Sequence, residues 1–325
     1  MAKTQTLVSA TLLPHPFANF PTIHSLQIPK SIILHLHLPP LSSSRKRPIR
    51  SQLKSRPAGR DLDRPPSTKD EAINQARTCL LKALEKPLNN PRVTGKLKKQ
   101  KQPRFRLEIP VIDESPQSLT GIAVELFGKI RIKRKGTPVQ FVLFWSDSSF
   151  IDEADRALEP FRTVKHVELS TMKAGNRGGF SGLGDVVVFM APDSTQLELV
   201  EAVCAEIDAK PVLIFNPKWG FDEESDFGRM GSFVSSFDVI YSFMGLEVRG
   251  VLSKRRGVVF KCDNGGWEVL MEEEGELKMV SRLKKRPSTV EVENVLYNLM
   301  AMNSPVTKSM RFLKDLVSRV GGRKE

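Results

Sequence analysis

Three short polar stretches carry the residue types best suited to ligand chemistry, and each follows an apolar run. They are Ser146-Asp147-Ser148, Pro192-Asp193-Ser194 and Asn216-Pro217-Lys218-Trp219. The carboxylates of Asp147 and Asp193 can hold a cation, whereas Lys218 and Trp219 can receive a phosphate and a planar ring. If the apolar runs are parallel strands, this is the edge of the sheet where open α/β folds bind ligands. Asp, Ser and Asn directly before helices are also ordinary N-caps, which is the stronger explanation.

A basic run without acidic residues is the second candidate for binding, here to an anionic surface. It consists of Arg92, Lys96, Lys98, Lys99, Lys101, Arg104 and Arg106. Such a run can contact RNA phosphates or anionic lipids. Phe105 is its only aromatic residue, so it lacks the stacking platform of a single-strand nucleic-acid binder. Nucleic-acid binding is therefore not expected, and a solvated loop is the commonest explanation for such a run.

Few residues are left for catalysis or metal binding. Of the five histidines, only His166 follows residue 60, and its place in an apolar run indicates a hydrogen-bonded structural role. Cys79, Cys204 and Cys262 lie far apart and form no Cys-x-x-Cys pair, which argues against a disulfide framework or a zinc site. We predict no catalytic residue, no cofactor and no metal.

Two acidic clusters and a glycine-rich segment are better explained without a ligand. Residues 222–226 and 272–276 each hold four acidic side chains, but no partner base is identifiable, so both are expected to be solvated. The glycine-rich segment 175–184 precedes an apolar run, whereas a phosphate-binding loop follows a strand and opens a helix.

The elements that position these residues follow from hydrophobic spacing. Five apolar runs have the length of buried strands: 139–145, 164–169, 185–190, 211–215 and 237–243. Helical spacing lies between them at 150–158 and 196–207. This alternation predicts an α/β fold with an open, mostly parallel Rossmann-like sheet flanked by helices.

The segments on either side of these runs complete the predicted fold. Capping residues at Ser67 and Thr68 open a helix that Pro87 ends, residues 105–109 alternate as a strand, and 119–130 form a second helix. Toward the C-terminus, short strands joined by turns predict an antiparallel β-meander, followed by two closing helices. These strands cover 257–261, 267–271 and 277–283, and the helices cover 290–302 and 306–320.

The first 60 residues differ from the rest of the chain in charge. No Asp or Glu precedes Asp61, whereas nine Lys and Arg do; without them, 41 basic residues face 37 acidic ones, a net charge of +4 instead of +13. This composition, rich in Ser, Thr, Pro and Leu, is typical of an organelle transit peptide. The apolar segment 31–38 is far shorter than the ~20 residues of a transmembrane helix.

These boundaries predict the domain organisation. Residues 1–60 are expected to be a transit peptide and disordered leader, and residues 67–320 a single α/β domain. The domain divides into a doubly wound part (67–250), the β-meander (251–288) and the C-terminal helices (289–320).

Several of these segments resemble a plant and cyanobacterial family, the low photosystem II accumulation proteins, whose domain also occurs fused to a plastid adenylate kinase. The resemblance covers nearly all of residues 67–320, and Gly245 departs from the proline expected in many relatives. Its carriers are residues 70–83, 182–192, 212–217, 239–246 with Gly250, and 257–261 followed by Trp267. No Gly-x-x-x-x-Gly-Lys-Ser/Thr loop is present, so no kinase activity is implied.

The resemblance implies a chloroplast protein of the stroma or the stromal face of the thylakoid. We expect a non-enzymatic factor that assists photosystem II assembly or accumulation by binding assembly proteins or subunits, with peripheral contact to the membrane and no transmembrane span. Two alternatives stay open: a nucleotide- or phosphometabolite-binding domain that uses Asp147, Asp193 and Lys218, and RNA binding through residues 92–106.

Overall fold

A computed structural model describes the part of the chain that carries the fold. It covers residues 31–35, 64–89, 102–109, 113, 115–172, 182, 184–207, 209–220, 223–249 and 254–303. The strands in these ranges are β1 (Ser31–His35), β2 (Arg104–Glu108), β3 (Lys133–Arg134), β4 (Thr137–Pro138), β5 (Phe141–Trp145), β6 (Val164–Glu168), β7 (Val186–Met190), β8 (Val212–Phe215), β9 (Asp238–Arg249), β10 (Lys254–Cys262), β11 (Trp267–Glu273) and β12 (Glu276–Leu283). The α-helices are α1 (Lys69–Asn89), α2 (Pro116–Ala123), α3 (Ile151–Leu158), α4 (Leu197–Glu206), α5 (Arg229–Val234) and α6 (Thr289–Asn303).

One large sheet organises the molecule, and the predicted fold class is confirmed. Its strand order is β12-β11-β10-β9-β2-β8-β7-β5-β6. The six strands from β9 to β6 in this order pair in parallel. Every residue of β5, β7 and β8 is buried, as expected of parallel strands covered on both faces.

Helices cover the two faces of the parallel sheet and bury alternate strand residues. On one face, Leu143 and Val188 join the core formed with α1, α2 and α3. On the other, Phe144 and Val187 pack with α4 and α5. This separation follows from the two-residue period of a strand, which turns successive side chains to opposite faces.

The predicted C-terminal meander is also present. Strands β9 to β12 pair in antiparallel order, and Glu274 and Gly275 form the two-residue turn between β11 and β12. Both have positive φ, 54° and 82°, as a type I′ hairpin turn requires. Helix α6 packs on the meander through Val292 and Leu296. The second closing helix, at 306–320, falls outside the described residues.

Two element boundaries differ from the prediction. Helix α1 passes through Pro87 to Asn89, because Pro87 removes only one backbone donor and the buried Leu88 holds the last turn against the core. Strand β9 extends to Arg249 instead of ending at residue 243, because β10 pairs with residues 241–249.

A strand also lies within the segment predicted as leader. Residues Ser31–His35 form β1, which pairs in parallel with Gly245–Arg249 of β9. Strand β2 pairs with residues 238–242 of the same strand. Both therefore lie on the same side of β9, one beyond the other.

Candidate functional site

The carboxyl ends of β5 and β7 meet at a topological switch point. The chain leaves β5 through α3, which packs on one face of the sheet, and leaves β7 through α4 on the other face. Because the two connections diverge, the loops after these neighbouring strands border the crevice where open α/β sheets bind ligands. Asp147 and Asp193 lie in these two loops, as predicted.

Asp147 acts as a helix N-cap. Its backbone is extended, and its carboxylate accepts a hydrogen bond from the Ser149 backbone N–H at 2.8 Å. This bond, a second one from the Ser149 side chain and the nearby charge of Lys218 lower the pKa of Asp147 below its ordinary value. The carboxylate therefore stabilises the loop and the first turn leading into α3.

Asp193 caps the turn that leads into α4 through a complete capping box. Its carboxylate accepts the backbone N–H groups of Thr195 and Gln196 at 2.8 and 3.2 Å. The Gln196 side chain returns a bond to the Asp193 N–H at 3.1 Å and also donates to the Ser146 carbonyl at 2.7 Å. Gln196 therefore ties the two loops of the switch point together.

The two candidate residues of the loop after β8, Lys218 and Trp219, lie in different surroundings. The Lys218 backbone N–H donates to the Pro192 carbonyl at 2.8 Å, and its Nζ lies 5.8 Å from the centre of the Phe150 ring. Trp219 is buried under α4 and α5, where its ring meets Phe227 edge to face. The predicted stacking surface at Trp219 is therefore inside the protein.

Asn216 joins the loop after β8 to the end of β2. Its φ is +45°, a left-handed conformation that asparagine tolerates better than most residues. Its side-chain oxygen accepts the Ile109 N–H at 2.7 Å, and its side-chain nitrogen donates to the Ile109 carbonyl at 2.9 Å. The amide side chain thus extends the β2–β8 ladder by one pair of hydrogen bonds.

Two buried polar atoms at the end of β5 have no hydrogen-bond partner among the described residues. They are the Trp145 Nε1 and the Ser146 Oγ. The Trp145 ring stacks on Phe150 with 5.3 Å between ring centres, and Phe150 carries the Lys218 ammonium on its ring. The Trp145 ring and the Lys218 ammonium therefore both lie against the Phe150 ring.

A second group of polar residues forms a buried charge network that the sequence did not reveal. Arg106 contacts Glu108 at 2.6 Å and Glu224 at 2.5 Å. Arg286 lies 3.5 Å from Glu108 and 2.9 Å from Glu224. Because each arginine contacts both carboxylates, the four charges balance within one cluster. We call these four residues the charge network.

The charge network separates two apolar layers. Arg106 lies 5.6 Å from the ring centre of Trp219, in the layer under α4 and α5. Arg286 lies 5.6 Å from that of Trp267, in the layer under α6. Each guanidinium therefore contacts an aromatic ring while its charge is neutralised by carboxylates.

The arginines control the ionisation of Glu108. Burial alone would raise its pKa, but Arg106, Arg286 and a 2.5 Å hydrogen bond from the Ser242 hydroxyl hold the pKa below its ordinary value. Glu108 is therefore a charged group inside the protein, held in that state by its partners.

The network corrects two predictions from the sequence. Arg106 is only 2% exposed, so it cannot belong to a basic surface. Arg104 donates to the Ser236 hydroxyl at 2.9 Å and lies over the Phe233 ring, so it too is engaged. Glu224, expected in a solvated acidic cluster, is a partner of both network arginines. The other five cations of the run, Arg92, Lys96, Lys98, Lys99 and Lys101, fall outside the described residues.

The remaining candidates have ordinary structural roles or fall outside the described ranges. His166 lies in β6, with its Nε2 at 3.2 Å from the Asp155 carboxylate. Residues 175–181 and 183 of the glycine-rich segment are not described, but β7 does follow it. Across the described ranges, no cluster of His, Cys, Asp or Glu is arranged to hold a metal. In those same ranges, no helix is both long and apolar enough to cross a membrane.

Comparison with known proteins adds a family to this description. The model of DUF1995, a domain of unknown function, matches residues 66–294, more than two thirds of the chain. The chain belongs to the DUF1995 family. The matched DUF1995 region includes the switch point and the charge network. No curated protein matches the chain.

Solved structures share only a distant likeness with this DUF1995 protein. The flagellar accessory protein FlaH from Methanocaldococcus jannaschii has 9% sequence identity and a TM-score of 0.25, over 55% of this chain and 91% of that one. The KaiC-like protein PH0186 from Pyrococcus horikoshii OT3 has 8% identity and a TM-score of 0.27, over 56% of this chain and 92% of that one. At such scores the likeness carries no functional argument.

Proposed function

We propose that this DUF1995 protein is a non-enzymatic factor of the chloroplast that binds photosystem II subunits or assembly proteins and assists their assembly or accumulation. The resemblance described above supports the process and the location at the stromal face of the thylakoid. The acid-free first 60 residues support import into the organelle. The proposed binding role rests on the edge of β9 that pairs with β1.

The second half of β9 pairs with β1, and β1 belongs to the leader that we propose is cleaved off on import. Strand β2 pairs with residues 238–242, whereas β1 pairs with Gly245–Arg249. Without residues 1–60, the backbone N–H and C=O groups on this side of residues 245–249 have no neighbouring strand in the described part of the chain. An open edge of this kind accepts an extended segment of another protein through backbone hydrogen bonds.

The proposed occupant is an extended segment of a photosystem II subunit or assembly protein, paired parallel to β9. The position of β1 supports this choice, because a segment of this chain already pairs there in that direction. The polar groups at the switch point support a non-enzymatic role. Asp147, Asp193 and Asn216 all hold loops in place through their side chains.

A binding experiment tests this proposal with two forms of the protein. Full-length chain and residues 61–325 are immobilised and exposed to detergent-solubilised thylakoid proteins. We expect 61–325 to retain photosystem II subunits or assembly proteins several-fold better. A peptide of residues 28–38 should displace them, and a scrambled peptide should not. Equal retention by both forms, or retention unaffected by the peptide, would contradict the use of this edge.

The runner-up function is binding of a nucleotide or phosphometabolite at the switch point. The Trp145 Nε1 and Ser146 Oγ, buried without a partner among the described residues, favour it, as does the position of Lys218 over Phe150. A ligand at 100 times its Kd raises stability by about 2.7 kcal/mol, a shift in Tm of roughly 5–10 °C. We would select this function if such a shift were lost in Lys218→Ala but kept in the control Lys165→Ala, at an exposed position of β6.

A further inference from the structure

Two cysteines that are 183 residues apart in sequence meet inside the protein. The Sγ atoms of Cys79 in α1 and Cys262 at the end of β10 lie 3.2 Å apart. Both residues are buried, and both are free thiols. The third cysteine of the chain, Cys204, is buried in the other apolar layer, with α4. The chain therefore contains one thiol pair and one isolated thiol.

The contacts on either side of the pair fix the two elements against each other. Lys82, three residues after Cys79 on α1, forms a 2.8 Å ion pair with Asp263, the residue after Cys262. Gln75, four residues before Cys79, accepts a 3.3 Å hydrogen bond from the Tyr241 hydroxyl. Tyr241 is the β9 neighbour of Cys262 in the sheet. Three successive contacts along one face of α1 thus maintain the approach of the two sulfur atoms.

The geometry leaves little movement between this contact and a covalent bond. A disulfide has an S–S distance of about 2.05 Å, so the sulfur atoms need to approach by roughly 1.2 Å. The hydrogen bond between the thiols lowers the pKa of Cys79 and raises that of Cys262. The lower pKa favours Cys79 as the thiol that forms the thiolate, and either sulfur can donate the hydrogen bond between the two neutral thiols.

We propose that Cys79 and Cys262 are a reversible redox site that closes to an intramolecular disulfide by exchange with a disulfide oxidant such as oxidised glutathione. The Cys79 thiolate attacks one sulfur of the oxidant and releases one glutathione thiolate. Cys262, after losing its proton, attacks the Cys79 sulfur of the mixed disulfide and releases the second. Two protein thiols are oxidised, the oxidant is reduced to two glutathione molecules, and the two protons end on them.

The oxidant reaches the pair from the side of the Lys82–Asp263 ion pair. The side chains of Lys82 and Asp263 are 44% and 32% exposed, so this contact is open to solvent while the sulfur atoms behind it are covered. A surface ion pair of this kind holds its partners weakly, so a local opening admits the oxidant. Once formed, the disulfide joins α1 covalently to the end of β10 in the meander.

Mass spectrometry and thermal unfolding of the full-length protein test the proposal together. After treatment with oxidised glutathione and alkylation of free thiols, we expect residues 79 and 262 in one disulfide-linked peptide and Cys204 alkylated after unfolding. Closing a loop this long stabilises the folded state, so Tm should rise by roughly 5–15 °C and return with dithiothreitol. The rise should vanish in Cys79→Ala and in Cys262→Ala and persist in Cys204→Ala.

Three outcomes would overturn the proposal. They are glutathione adducts without the linked peptide, a disulfide between two chains on a non-reducing gel, and an equal rise in Tm for the wild type and Cys79→Ala. Peptide mapping of the wild type decides the matter without the variants if either substitution prevents folding.

Discussion

At the scale of single residues, the charge network places four charged side chains inside the described fold. Arg106, Glu108, Glu224 and Arg286 come from three distant parts of the chain and neutralise each other between two apolar layers. Removing one partner from a buried ion cluster is costly because the opposite charge stays buried without compensation. The network therefore yields two predictions about stability.

The first prediction concerns Arg286→Met, which keeps most of the side-chain volume and removes the charge. Glu108 and Glu224 then share Arg106 alone, so we expect a loss of about 3–5 kcal/mol in the free energy of unfolding. The control is Arg229→Met. The exposed Arg229 side chain pairs with Glu198, and losing this pair should lower the free energy of unfolding by less than about 1 kcal/mol. Denaturant unfolding of both variants measures the difference. Equal losses would show that the network is not the stabilising unit described here.

The second prediction concerns the dependence of stability on pH. Because the pKa of Glu108 is held below its ordinary value in the folded state, the stability from its charge is fully present above a pH of about 4.3. That stability is lost as the pH falls through the lower value of the folded protein. Glu108→Gln should therefore be less stable at neutral pH and lose less on acidification. The exposed control Glu198→Gln is expected to lose stability on acidification as the wild type does. The same loss in Glu108→Gln would contradict the prediction.

The sequence could not predict the network, for a physical reason. Arg106 and Glu108 alternate with Phe105 and Leu107, which is the pattern of a strand with one solvated face. That face is instead covered, because Glu224 and Arg286 bring opposite charges from 118 and 178 residues away. The contact between Cys79 and Cys262 was missed for the same reason, since it depends on α1 packing against the end of β10. Neither pairing leaves a signal in local spacing.

At the scale of elements, local patterns predicted most of the fold. The apolar runs became β5, β6, β7 and β8, and the meander and its turns were found where expected. The errors came at boundaries, where tertiary packing overrides local signals, as in α1 beyond Pro87. The candidate crevice was predicted from the loops at the carboxyl ends of the strands, and the structure supports capping as the role of Asp147 and Asp193.

The third prediction tests this capping role. Asp193→Ala removes the acceptor of the capping box, so we expect the free energy of unfolding to fall by about 0.5–2 kcal/mol. The control is Asp226→Ala. Asp226 is exposed, and within the described residues its side chain accepts a hydrogen bond only from its neighbour Ser225, so the free energy of unfolding should change by no more than about 0.5 kcal/mol. Thermal or denaturant unfolding provides the comparison. No loss in Asp193→Ala would mean that the carboxylate is free for another role.

At the scale of the whole molecule, β1 is the strand of the described sheet that lies within the segment predicted as leader. If the leader is removed between about residues 42 and 67, as we propose, β1 is lost and the strand order from β12 to β6 is unchanged. The division was predicted from the absence of acidic residues and the Ser-, Thr-, Pro- and Leu-rich composition, but the pairing of residues 31–35 with β9 was not predicted. Composition predicts a targeting segment but carries no information on which strand edge that segment contacts.

The most direct test of the proposed function is affinity purification of the tagged mature protein from chloroplasts, with mass spectrometry of the bound proteins. We predict enrichment of photosystem II subunits or assembly proteins over an untagged control, and a protein N-terminus between about residues 42 and 67. Recovery of the protein without photosystem II components, or from a compartment other than the chloroplast, would contradict it.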